Sequence, residues 1–159
     1  MKDQALTNES FDFLGGSSGF LNIILNNISS CVLLLNNQME LQAYNNALKT
    51  IFSNQKDEDL LYRKCGEVIG CSYHIEEAQS CGATSYCKYC DLRLSALESY
   101  INNTNIYKQH LVRPFYDYHN NKVEKQLQFS TRNFYFDTEK YIIMIIEDIS
   151  PLVKQIVDM

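Results

Sequence analysis

Tryptophan is absent from this chain, and proline and glycine are scarce, at two and six residues out of 159. So few of either leave no Pro- or Gly-rich linker to divide the chain, which is long enough for one domain with its own core. Long hydrophobic runs are missing as well. The longest, "YIIMII" and "CVLLL", fall far short of the roughly 20 apolar residues that a spanning helix needs. The opening "MKDQALTNES" carries no apolar signal-peptide segment, so a cytoplasmic protein with no membrane partner is expected. Lysine and arginine are scattered and the formal net charge is -5. No basic stripe is available to neutralise phosphates, and nucleic acid is not an expected partner. A P-loop, a Gly-rich dinucleotide turn and a nucleophile–base–orienter set are all lacking, so no catalytic activity is expected.

What is present is ordinary folding material, 45% hydrophobic and 21% charged. Residues 1–19 read as a loose tail. In "FLNIILNNIS", Phe20, Ile23, Ile24 and Ile28 share one helical face. "CVLLLNNQMELQAYN" reads as a hairpin turning at Asn36-Asn37, since Asn tolerates the positive φ of tight turns. "NALKTIF" is a short helix with Asn45 or Asn46 as N-cap. "DLRLSALESYINN" is an amphipathic helix whose stripe is Leu94, Leu97 and Ile101. Three strand-like runs follow, broken at "HNNK" and "DTEK", and the last, "KYIIMIIEDI", has the β-branched content of a central strand. Two strands, helices, then three strands predict an α+β fold: one five-stranded antiparallel sheet with helices on one face and an N-terminal helix. In "DISPLVKQIVDM", Ser150 is placed to cap a final helix with Pro151 at its first position. Ile149, Leu152, Ile156 and Met159 then follow a coiled-coil rhythm, which makes a homodimer the expected assembly; the alternative is that this short helix folds back on its own domain.

That element order, with "ILNNISSCVLLLNNQMELQAYNNAL" at the front and "YIIMIIEDIS" at the back, resembles a PAS domain, a sensor module of signalling proteins. The resemblance covers residues 20–150, with 151–159 as the start of a signalling helix. The middle is similar to a bacterial subgroup with a Gly-Glu-hydrophobic stretch, a cysteine, a Cys-Gly-x-Ser/Thr motif and a closing Cys-x-x-Cys. Here those positions are Gly66, Glu67 and Val68, then Cys71, then Cys81, Gly82 and Thr84 or Ser85, then Cys87 and Cys90. Cys65 stands where that group has a proline. The resemblance implies a sensor role and an effector on another protein or segment, such as a histidine kinase.

Setting Cys65 aside leaves Cys71, Cys81, Cys87 and Cys90, separated by nine, five and two residues. Four thiolates suit tetrahedral zinc or an iron-sulfur cluster. The Cys-x-x-Cys pair lets both sulfurs turn to one metal, and backbone amides near Gly82 can hydrogen-bond to metal-bound sulfur. In a reducing compartment a disulfide staple is disfavoured. Cys65 is the possible substitute ligand, and Cys31 within "SCVLLL" reads as core. The sensor role implied by the resemblance favours the iron-sulfur cluster, since zinc has no redox chemistry. The alternatives are an interaction module with structural zinc, or a thiol-exchange protein using Cys87 and Cys90. His74 lies near the cysteines but reads better as a hydrogen-bonded histidine. His110, on a predicted strand, is poorly placed for a haem. The pair Glu76-Glu77 reads as a solvated turn.

Overall fold

The computed structural model describes residues 19–52, 60–117 and 119–158. The expected N-terminal tail and Met159 lie outside these residues. Helix α1 (Gly19–Asn26) leads into β1 (Cys31–Leu35) and β2 (Leu41–Tyr44), followed by α2 (Ala47–Phe52), α3 (Cys65–Val68) and α4 (Ser72–Glu77). A 3-10 turn (Cys87–Tyr89) precedes α5 (Asp91–Asn102), and β3 (Ile106–Tyr116), β4 (Lys122–Phe136), β5 (Glu139–Asp148) and α6 (Ser150–Val157) follow. The strands form one five-stranded sheet in the order β2-β1-β5-β4-β3, antiparallel throughout, with β5 at the centre as its β-branched run predicts. The α+β architecture is therefore the expected one.

Alternation along the strands sorts the core. Ile142, Met144 and Ile146 of β5 and Leu127 and Phe129 of β4 face the helices, where Leu48, Phe52, Val68 and Leu92 close over them. Ile143 and Ile145 face the other way, into a smaller cluster with Val32, Leu34 and Leu25 of α1. Strand β1 is covered on both faces, which is why all five of its residues are apolar and buried. Cys31 is among them, as expected.

Several local expectations are corrected or refined. The Asn36-Asn37 turn keeps its place, but the positive φ falls on Met39 (65°), whose side chain is buried. Asn36 contributes through its side chain, whose oxygen accepts the N–H groups of Gln38 and Glu40. Of the two candidate N-caps, Asn46 stands directly before Ala47 at the start of α2, and Asn45 is the one with a different role. It is fully buried, accepts the Val32 N–H at 2.8 Å and donates to the Leu25 and Ser30 carbonyls, pinning α1 to the hairpin. On α5 the buried positions are Leu92, Ala96 and Ser99, while Leu94 and Ile101 are exposed. Ser99 can be buried because its hydroxyl pairs with Thr131 at 2.7 Å, so a polar residue replaced the apolar one that periodicity favours. Ser150 does not cap α6; its hydroxyl accepts the Gln126 N–H, and Asp148 accepts the Ser150 N–H at 3.0 Å. The apolar face of α1 is also solvent-facing, with Phe20 at 74% exposure, because α1 packs through Asn22 and Leu25 instead.

Candidate four-cysteine site

Three short elements converge beside the C-terminal end of β3. Residues 70 and 71 are pinned to that strand: the Tyr116 N–H donates to the Gly70 carbonyl at 2.9 Å, and Cys71 forms a β-bridge with Phe115. The Cys71 N–H also donates to Gly66 of α3. Cys90 stands at the N-cap of α5, where the helix backbone favours negative charge. Between them the 81–90 loop folds on itself, with Gly82 at φ 101°, a conformation open to glycine but costly for other residues.

The sulfurs of Cys71, Cys81, Cys87 and Cys90 line one small cavity of ≈ 20 Å³, and Cys65 and Arg113 share its wall. Each of the four sulfurs faces an N–H donor. Gly66 N, in the unpaired first turn of α3, lies 3.3 Å from Cys81 Sγ. Gly82 N lies 3.0 Å from Cys87 Sγ, which also meets the Thr84 hydroxyl at 2.9 Å. The Arg113 guanidinium donates through Nη1 to Cys90 and through Nη2 to Cys71, both at 2.9 Å. Among the described residues, no hydrogen bond reaches the sulfur of Cys65 or Cys31. No disulfide links any of the six cysteines.

These partners set the electrostatics. Burial opposes ionisation of Cys87, but the hydrogen bonds from Thr84 and Gly82 outweigh it and hold the thiol below its ordinary pKa. Burial pushes Cys81 up to about 11, against the pull of the Gly66 N–H. Burial, with Cys81 and Cys90 nearby, also pushes Cys65 well above its ordinary value. Arg113 is only 4% exposed. Burial works against its charge, yet the sulfurs of Cys90 and Cys71 hold its pKa above the usual value. Its guanidinium also stacks near Tyr86, 5.2 Å from the ring centre.

Cysteine sulfur is a ligand type that thiophilic metals take. The side chains are gathered but not closed: among the described residues, no three His, Cys, Asp or Glu groups stand together closely enough to hold an ion. His74 also lines the cavity and its Nδ1 meets the Gln79 carbonyl at 2.6 Å, so it is hydrogen-bonded as expected. His110 lies exposed on β3, bonded to Gln126. Glu76 and Glu77 are not merely solvated: Glu76 joins Tyr116 and Lys122, and Glu77 holds Ser85 of the cysteine loop. Arg113 escapes a reading by motif, because it lies 23 positions beyond Cys90 with no spacing rule to connect them. Its one sequence signal is parity: in the half-buried strand Leu111-Arg113-Phe115, a cation occupies a core-facing position.

No protein-family model and no curated protein matches the chain. Solved structures do. The PAS domain of an HTR-like protein from Haloarcula marismortui superposes with a TM-score of 0.54 at 11% identity, covering 82% of this chain and 96% of that one. The PAS domain of nitrogen regulation protein NR(II) from Vibrio parahaemolyticus gives 0.51 at 13% identity, over 79% and 94%. The PAS domain of BvgS from Bordetella pertussis gives 0.50 at 14% identity, over 87% and 93%. The fold is that of a PAS domain.

Proposed function

We propose that this PAS-fold chain is a signal-sensing domain, not an enzyme, that holds an iron-sulfur cluster on Cys71, Cys81, Cys87 and Cys90. The observation carrying this reading is the placement of N–H donors on those four sulfurs and, among the described residues, not on Cys65 or Cys31. Such donors stabilise thiolates and are the usual surroundings of metal-bound sulfur. When bound, a cluster supplies reversible one-electron chemistry and reactivity toward oxygen or nitric oxide, the kind of signal we assign to this domain. The protein's own residues hold, orient and charge-balance it. Loading requires the four side chains to draw together from the positions described above.

Output fits the same end of the sheet. Arg113 is paired in register with Lys125 of β4. Lys125 in turn reaches Asp148 at 3.3 Å, and Asp148 holds the first N–H of α6. A change at the cysteines thus has a short route to the final helix, which we read as the link to a dimer partner and to a separate effector such as a histidine kinase. Among the described residues no helix is long and apolar enough to cross a membrane.

One observation favours the second reading, structural zinc. A cavity of ≈ 20 Å³ holds about one water-sized atom, so a single ion needs less expansion than a cluster. Anaerobic purification decides between them. Brown protein with iron and sulfide supports the cluster; colourless protein with one zinc per chain replaces it with the zinc module. Metal-free protein from both anaerobic and aerobic purification sinks both and leaves thiol exchange at Cys87 and Cys90.

A further inference from the structure

We infer that Arg113 is the positioning residue of the cysteine site, a built-in counter-cation that ties Cys71 to Cys90 so that one metal can take both sulfurs when the side chains draw together; this rests on the four-thiolate reading above. The geometry is specific. One planar guanidinium bridges two sulfurs that come from different parts of the chain, each at 2.9 Å. Cys71 belongs to the segment pinned on β3, and Cys90 to the N-terminus of α5. Without Arg113 no other hydrogen bond to either sulfur is found among the described residues.

Burying a cation is unfavourable unless it is paired, and Arg113 is buried without any carboxylate partner among its hydrogen bonds. The partners it has instead are the two sulfurs. Its Nε is buried and has no acceptor among the described residues. Charge gives the same answer. Four thiolates around a dication, or around a cluster core of the same charge, leave two negative charges in a buried place. Arg113 removes one of them. Lysine could supply the charge but not the two-point bridge, since only the planar fork presents two parallel donors.

The test uses the full chain with Arg113→Lys and Arg113→Gln, loaded separately with zinc and with iron plus sulfide under anaerobic conditions. Zinc affinity is read by competition against a chelator. Loss of an outer-shell partner lowers metal affinity about 10- to 100-fold. The expected result is a loss near the upper end for Arg113→Gln and near the lower end for Arg113→Lys. For the iron-loaded protein, the reduction potential is measured on whatever fraction carries the cluster. Removing a positive charge disfavours the more negative reduced state, so Arg113→Gln moves the potential down, while Arg113→Lys stays near the parent. A residue with only a packing role would lower occupancy in both variants and leave the potential of the surviving sites unchanged, which overturns the inference. Wild-type binding with an unchanged Arg113→Gln overturns it too. If the wild-type protein binds neither metal, the four-thiolate reading itself fails, and the role of Arg113 with it.

Discussion

A β-carbon on residue 66 would stand 2.9 Å from the sulfur of Cys81 and 3.2 Å from its Cβ. Real β-carbons do not come that close, so the side chain of Cys81 reaches its place only because residue 66 is glycine. Gly66→Ala must push Cys81 outward or shift α3. Overpacking of this kind costs about 1–3 kcal/mol, readable as a lower urea midpoint with an unchanged slope. Metal uptake should fall at least about tenfold, because the displaced sulfur is one of the four. Gly19→Ala is the matched control, with open space around the new methyl. Equal metal uptake by Gly66→Ala and the parent would remove Cys81 from the ligand set.

The two candidates for fourth ligand are separated by single substitutions. Serine at Cys71, Cys81, Cys87 or Cys90 should abolish tight binding, since each removes a sulfur that faces an N–H donor. Cys65→Ala should keep the metal and cost about 1 kcal/mol from its buried position. Metal analysis after gel filtration checks both. Retention in Cys71→Ser with loss in Cys65→Ala would exchange their roles.

Asn45 makes the most consequential structural contact outside the site. Its amide serves three backbone groups from two elements, and all of it is buried. Asn45→Ala leaves those groups without a partner, at about 1–3 kcal/mol for each that water cannot reach. The expected signature is a large loss in urea stability together with fast amide exchange in α1. Protection of α1 at parent levels would mean that Leu25 packing alone holds the helix.

The sheet was legible because its strands alternate and its turns are polar. The element order and central β5 followed from "YIIMIIEDI" and its neighbours alone. Helix faces were less so. Periodicity gave Leu94, Leu97 and Ile101 on α5, but Ser99 lies inside because Thr131, 32 positions away, satisfies it. Polar partners supplied by distant strands leave no local trace. The same reason explains the site. The cysteines and Gly82 announce themselves by type and spacing, whereas Arg113 and the Gly66 amide belong to it only through the way β3 and α3 pack.

Asp148 gives the root of α6 a pH dependence. Partial burial opposes its charge, but the Ser150 hydroxyl and N–H, with Lys125, outweigh it and hold the carboxyl below its usual pKa. A depressed folded value means that the stabilisation is complete above the unfolded pKa of about 3.9 and disappears as the pH falls through the lower folded one. The stability gap between parent and Asp148→Asn should therefore be constant from neutral pH down to about 5 and close below about 4. Because the pair is partly exposed, that gap should not exceed about 1 kcal/mol. A gap that persists in acid would show that the asparagine damages packing, not charge.

The dimer is tested through surfaces that the domain leaves uncovered. No residue of α6 is buried, and Leu152 and Ile156 are both more than half exposed. An eight-residue helix is too short to persist alone, since isolated helices shorter than about 12 residues are marginal in water. We propose that a second copy covers it. The core of the domain does not, and Phe20, Ile23 and Ile24 of α1 lie open in the same way. A second copy offers matching apolar faces to both helices. Light scattering should give twice the 18.4 kDa of one chain. Removing residues 150–159 should weaken the dimer, and Ile23→Asp with Ile24→Asp should shift it to monomer, because a buried carboxylate at a closed apolar interface has no partner. Monomer at every concentration of the intact chain would defeat the dimer. A dimer that ignores both changes would place the interface on the sheet face or the loops, away from α1 and α6.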